Sequence, residues 1–164
     1  MRHSVTVTTP TDREIRVSRV FDAPRRLLWD CHTRPELLRR WMLGPDGWTM
    51  PVCDIDLRVG GEYRHVWRND ADGSEFGFRG RYREVASPER IVHTERWDGT
   101  PESEQNNALC TLTLTEHERR TTLVYRMVFP TPEVRDQALK SGMTDGMAAG
   151  YDRLEAIMAD QPVA

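Results

Sequence analysis

The sequence predicts an α+β domain in which an antiparallel sheet of about seven strands is covered by a long C-terminal helix. Three observations predict it. Apolar residues alternate along Glu14–Phe21 and again in six segments between Trp48 and Phe129, the period of half-buried strands. Turn-forming clusters separate those segments at Gly60-Gly61, Asp70-Ala71-Asp72-Gly73, Ser87-Pro88, Asp98-Gly99 and 116–120. From Pro132 to about Asp160, Leu139, Met143, Met147, Tyr151, Leu154 and Met158 recur at three and four residues, an apolar stripe with helical period.

In the first strand Ile15, Val17 and Phe21 share a face on which Arg19 is the one polar member. Asp22-Ala23-Pro24 then starts a helix, because proline is at home in a first turn, and Leu27, Leu28, Cys31 and His32 fall on one side of it up to about Thr33. Pro35 opens a second helix through Leu37, Leu38, Trp41 and Met42, which Gly44-Pro45-Asp46-Gly47 cannot continue.

Six strands in meander order follow. Tyr63, His65 and Trp67 share a face, as do Phe76, Phe78, Gly80 and Tyr82, then Cys110, Leu112 and Leu114, then Leu123, Tyr125, Met127 and Phe129. Those faces need a cover, which the last helix supplies. Gly142, Gly146 and Gly150 recur along that helix, where each glycine costs roughly 0.5 to 1 kcal/mol relative to alanine. Close backbone packing or space left for a guest would offset the cost. The order of elements is β-α-α-β6-α, an α+β rather than a parallel α/β arrangement.

Composition narrows the function. The 164 residues suit one domain, 1–164 with a core at about 14–160, and the net charge of -3 offers no excess positive field for a polyphosphate, so nucleic acid is not an expected partner. No apolar run approaches the ~20 residues of a membrane span. The N-terminus alternates Val and Thr instead of carrying a basic start and an apolar stretch, so the expected location is cytoplasmic. The three cysteines, Cys31, Cys53 and Cys110, lie far apart, the histidines are scattered, and neither CxxC nor HExxH occurs; no metal and no cofactor is signalled.

Four segments carry a family resemblance: "RVFDAPRRLLWDCHTRPELLRRWMLGP" from Arg19, "DIDLRVGGEYRHVWRNDADGSEFGFRGRYREV" from Asp54, "PERIVHTERWD" from Pro88, and "SGMTDGMAAGYDRLEAIM" from Ser141. With these segments the chain resembles the SRPBCC, or START-like, superfamily, in its branch similar to the activator of the heat-shock-protein-90 ATPase. The resemblance implies a helix-grip fold, a curved sheet around the last helix with a cavity between them. Across the superfamily such cavities serve lipids, polyketides, hormones, resistance to toxic small molecules and chaperone activation. Met42 stands where relatives often show a second Trp, and His65 where they commonly carry an apolar or aromatic residue. The chain looks like only the compact domain of the chaperone activator, and a counterpart of that cochaperone's additional N-terminal domain is not expected before Glu14.

The inward members of the faces are the candidate ligand-binding residues: Trp41, His65, Trp67, Phe78, Tyr125, Met127, Met143, Met147 and Tyr151. Binding pockets are mostly apolar with a few directing polar groups, which is the character of this set. Methionine adds an adaptable wall. His93 and Glu95 alternate on one strand, so an imidazole and a carboxylate would enter the same space. Asp54 and Asp56 share a face with Arg58, a structural arrangement.

No Gly-x-Ser-x-Gly elbow or activated cysteine is present, so no catalytic residue is assigned and the reading leans away from an enzyme. The expected function is binding of a hydrophobic or aromatic small molecule, a lipid, polyketide or similar metabolite. The alternatives are a cyclase-like or hydrolytic enzyme using His65, or His93 with Glu95, and a cochaperone-like or regulatory protein-interaction domain. A homodimer or a protein partner stays open.

Overall fold

A computed structural model describes residues 3–160. The chain runs β1 (Thr6–Thr8), β2 (Glu14–Phe21), α1 (Arg25–Thr33), α2 (Pro35–Leu38), β3 (Trp48–Ile55), β4 (Glu62–Asn69), β5 (Glu75–Ala86), β6 (Arg90–Trp97), β7 (Ala108–His117), β8 (Arg120–Val128), α3 (Pro132–Lys140) and α4 (Met143–Ala159). The strands form one antiparallel sheet in the order β1-β2-β8-β7-β6-β5-β4-β3, so the six-strand meander predicted between Trp48 and Phe129 is present and β2 pairs with its last strand. This is the helix-grip arrangement.

Three details differ from the sequence reading. β1, paired with β2 through Val7 opposite Val17, makes an eighth strand. The second helix stops at Leu38 and continues to Met42 only as successive turns, in which the Arg40 and Trp41 amides donate to the carbonyls of Leu37 and Leu38. The stretch from Pro132 is two helices, because Gly142 takes φ +83°, a left-handed conformation that interrupts the helix and is cheap only without a Cβ. α3 has its own start, the Thr131 side chain accepting from the Val134 amide ahead of Pro132 in the first turn. α1 lacks a local side-chain cap, and its first amide, that of Arg25, donates to Glu116 Oε1 on β7 at 2.6 Å.

The core lies between one face of the sheet, the inner face, and the helices. Ile15, Val17, Arg19 and Phe21 of β2 stand opposite Met127, Tyr125, Leu123 and Thr121 of β8, and Met127, Tyr125 and Leu123 in turn oppose Cys110, Leu112 and Leu114 of β7. α4 closes this side: Tyr151 meets Phe21 edge-on at 5.9 Å between ring centroids and stacks on Trp41 at 5.7 Å. Trp41 is held further by its indole N–H, which donates to the Cys31 carbonyl at 2.8 Å. Here α4 approaches closely, since a Cβ on Gly150 would sit 3.1 Å from the Trp41 carbonyl oxygen.

Candidate functional site

The inner face changes character from β8 toward β4. Near β2 and β8 it is filled: Trp41, Met127 and Tyr151 are no more than 3% exposed and belong to the core. His65, Trp67, Phe78, Tyr125, Met143 and Met147, the other six residues expected to line a ligand site, are all partly accessible. Two depressions, of about 270 and 110 Å³, lie against His3, Val5, Ala148 and Asp152 and against Arg83, Thr94, Asn107 and Leu109. Neither includes an expected ligand-binding residue.

Toward β4–β6 the inner face has an aromatic wall. Trp67 stacks on Phe76 at 5.3 Å, Phe78 lies 4.5 Å from Trp97, and Trp48 meets Phe76 edge-on at 5.2 Å. Register builds it, with Trp67 opposite Phe76 and Phe78 opposite both His65 and Trp97. Phe76 and Trp97 remain 38% and 56% exposed, much apolar area for water to cover. The Trp67 indole N–H is anchored to the Met42 carbonyl at 2.7 Å. Sequence reasoning placed Phe76 on the Phe78 face without counting it among the site residues and passed over Trp97 and Trp48; the alternation that marked Glu95 also marks Trp97.

Beside the wall lies a polar group. The Tyr63 hydroxyl is 3.0 Å from His93 Nδ1, 2.9 Å from the Thr94 carbonyl oxygen and 3.1 Å from Glu95 Oε1, and the Tyr125 hydroxyl is 3.2 Å from His93 Nε2. His93 and Glu95, paired by alternation alone, are thus brought together through Tyr63, which the sequence reading had placed on the His65 face without a role. Gly80 makes this possible: it stands opposite Tyr63, and a Cβ there would fall 2.8 Å from the Tyr63 ring and 1.8 Å from the Thr94 carbonyl oxygen. The bare backbone lets the phenol cross β5 and reach β6.

Burial sets the charge states. It pushes the Glu95 carboxyl up to about 7, against the lowering effect of the Tyr63 hydrogen bond. It holds His93 down at about 4, opposed by the Thr94 carbonyl, and His65 down at about 3, with nearby His93 acting in the same direction. The Tyr63 and Tyr125 phenols and the Cys110 thiol are raised by burial and stay protonated. Near neutrality the group carries at most the one charge of Glu95. His65 Nε2 is sealed from solvent without a hydrogen-bond partner among the described residues.

Elsewhere the side chains read as structural do structural work. Arg58 donates to both carboxylate oxygens of Asp56 at 2.9 and 3.1 Å. Among the described residues no group of three or more His, Cys, Asp or Glu could hold a metal ion, and no helix is long and apolar enough to cross a membrane.

The sequence of 22–159 matches the family described as "Activator of Hsp90 ATPase homolog 1-like protein". The chain belongs to this family. Among solved structures, a protein from Rhodobacter sphaeroides is 29% identical, covering 96% of this chain and 99% of its own, with a TM-score of 0.87. Two others share the fold: protein Ms6760 from Mycobacterium smegmatis, 22% identical with a TM-score of 0.83 over 97% and 99% of the two chains, and an AHSA1-like protein from Aeromonas hydrophila, 16% identical with a TM-score of 0.70 over 91% and 98%. No curated protein matches the chain. The SRPBCC resemblance read from the Ala-Pro helix start and the Gly-Met helix therefore holds at the level of family and fold.

Proposed function

We propose that the inner face between β4–β6 and the first turns of α4 binds a neutral, planar hydrophobic or aromatic small molecule. The observation that carries this reading is the juxtaposition of a half-exposed aromatic wall, Trp67, Phe76, Phe78 and Trp97, with the enclosed polar group of Tyr63, His93 and Glu95. An apolar guest would displace water from the rings, and one polar atom on it would be oriented by the cluster. Met143 and Met147, partly accessible on α4, repack around the guest, and the left-handed Gly142 lets α4 shift relative to α3.

The family's name suggests a cochaperone role, for which the feature to seek is a continuous exposed apolar patch away from this face. Val7, Val59, Leu109 and Val134, the large apolar side chains exposed elsewhere among the described residues, are scattered over β1, the β3–β4 connection, β7 and α3. Small-molecule binding is the better supported reading. A thermal-shift screen against lipids, polyketides and aromatic metabolites tests it: aromatic compounds are expected to raise the melting temperature, and a screen with no stabilising compound would remove the proposal.

A further inference from the structure

The outer face of the sheet, on the other side from the aromatic wall, gathers arginines. Arg64 of β4 stands directly opposite Arg79 of β5, and Arg79 stands directly opposite Arg96 of β6, one row across three strands. Arg81 alternates with Arg79 on the same face, and Arg83 follows at the register shift between Tyr82 and Glu84. Like charges directly opposite one another destabilise a sheet, so this row needs anions.

The chain supplies them mostly from one connection. Asp98, the first residue after β6, accepts from Arg64 Nε at 2.8 Å and lies 3.6 Å from Arg79 Nη1. Glu102 accepts from Arg81 Nε at 3.3 Å and from Nη2 at 3.2 Å, and Glu62 of β4 accepts from the same Nη2 at 3.0 Å. Arg96 Nε donates to a neutral group, the Thr100 carbonyl, at 2.9 Å. Arg81 holds the Glu102 carboxyl below the usual carboxylate range, and Arg96 and Arg83 act on it in the same direction, so guanidiniums from two strands converge on one carboxylate. The cluster is open to solutes: the Glu102 side chain is 40% exposed and that of Arg81 41%.

The cations are thus fixed on strands, whereas Asp98 and Glu102 ride on the connection between β6 and β7. Beside them lies the depression of about 110 Å³ lined by Arg83, Thr94, Glu104, Asn107, Ala108 and Leu109. Thr94 Oγ1 accepts from the Arg81 amide at 3.0 Å, and its hydroxyl keeps a proton to donate. Arg96 is two residues from Thr94 on the same strand face. Two forked guanidiniums and a hydroxyl around a small hollow match the oxygens of a phosphate group, which offer acceptors in several directions and carry the charge that arginine pairs with best.

We propose that this hollow on the outer face binds the phosphate group of a phosphate ester between Arg83 and Arg96, with Thr94 donating to the same group. Glu102 yields its place beside the two arginines, and Glu104 moves away with the connection as the anion enters. The net charge of -3 makes this a local arrangement, suited to one phosphate group and not to a nucleic-acid backbone. The site lies on the face opposite the aromatic wall and does not depend on what the wall binds.

The test uses the full chain with inorganic phosphate at pH 7.5, compared with sodium chloride at the same ionic strength, by isothermal titration calorimetry and by melting temperature. The expected result is saturable binding that chloride does not reproduce. Arg83→Gln and Arg96→Gln are each expected to weaken it about tenfold. Glu102→Gln, which removes the competing carboxylate, is expected to tighten it about threefold, a gain that arginines with a purely structural role would not produce.

Two further arms separate the sources of the phosphate. Binding of glycerol 3-phosphate at least as tight as that of inorganic phosphate supports the site as one for a soluble ester. Sedimentation with phosphatidylcholine vesicles containing phosphatidic acid, without binding of the soluble ester, supports it as one for a lipid headgroup. Phosphate no better than chloride in every arm overturns the proposal. Binding that survives both arginine substitutions also overturns it, since it would mark an adventitious ion only. Neither result bears on the inner-face site.

Discussion

Arg19 Nη2 on β2 donates to Glu155 Oε2 on α4 at 2.8 Å. Nη1 donates to Asp152 Oδ1 at the same distance, so a guanidinium with no exposed side-chain area is held by two partly exposed acids. Its plane also lies over Phe21, 5.0 Å from the ring centroid. This clasp sets where α4 crosses the sheet, and with it the position of Met143 and Met147.

The cost of breaking the clasp depends on which half is removed. Asp152→Asn with Glu155→Gln leaves a buried cation unpaired and is expected to lower the unfolding free energy by about 3 kcal/mol. Arg19→Met keeps most of the packing volume and takes the guanidinium only from acids that water reaches, so about 1 kcal/mol is expected. Urea denaturation measures both; an Arg19→Met variant as unstable as the double variant would refute this assignment.

The three glycines of the terminal stretch are expected to separate. A Cβ on Gly146 would meet Gly44 Cα at an ordinary 3.6 Å, so Gly146→Ala should stabilise by about 0.5 to 1 kcal/mol through helix propensity. Gly150→Ala, 3.1 Å from the Trp41 carbonyl oxygen, should show no such gain, and Gly142→Ala should cost about 1 kcal/mol at its positive φ. Thermal unfolding of the three variants checks the order.

Gly80→Ala is expected to be the most damaging small change on the inner face. Its Cβ would overlap the Thr94 carbonyl oxygen, so β5 and β6 must part, at a cost of about 3 kcal/mol, and Tyr63 must leave Glu95. Circular dichroism in the near-ultraviolet should report the displaced aromatic rings; an unchanged spectrum and stability would contradict the close approach.

Stability should fall steeply in mild acid. Burial lowers His32 and His93 to about 4 and His65 to about 3, so below the unfolded value of about 6.5 the unfolded chain binds three protons that the folded chain does not. Glu95, raised to about 7, acts in the opposite sense: the folded chain holds its proton where the unfolded chain has lost it, so its contribution is full below about 4.3 and is lost as pH rises through 7. The net of about two protons gives a loss of about 2 to 3 kcal/mol per pH unit between 6 and 5. Glu95→Gln should steepen this slope and make the protein more stable than the native chain at pH 8. Urea midpoints across this range decide, and a flat profile would count against the buried histidines.

Much of this was legible in the sequence. Period-two alternation placed His65, Trp67 and Phe78 on the face they occupy, and the turn clusters marked the boundaries of the meander. Arg19 stood out only as the one polar residue on an apolar face, and nothing local marked the acids that hold it, which lie 133 and 136 positions away. The stripe from Leu139 to Met158 gave no sign of the break, because a glycine is tolerated in a helix and only the backbone conformation at Gly142 shows that it ends one. Alternation put His93 beside Glu95, yet the bridge between them needed a tyrosine two strands away and a glycine to let it pass. Trp41 and Tyr151, expected among the ligand-binding residues, stack on each other in the core, a contact that depends on the crossing of α4 and has no local signature.

The most direct test of the central claim is the NMR mapping of a neutral aromatic compound, 2-naphthol, titrated into the protein with its aromatic and methionine methyl signals resolved. The expected result is saturable shifts at the Trp67, Phe78 and Trp97 rings and at the Met143 and Met147 methyls. Shifts confined to the depression beside His3 and Ala148, or no saturable shift at all, would contradict a binding site on the inner face.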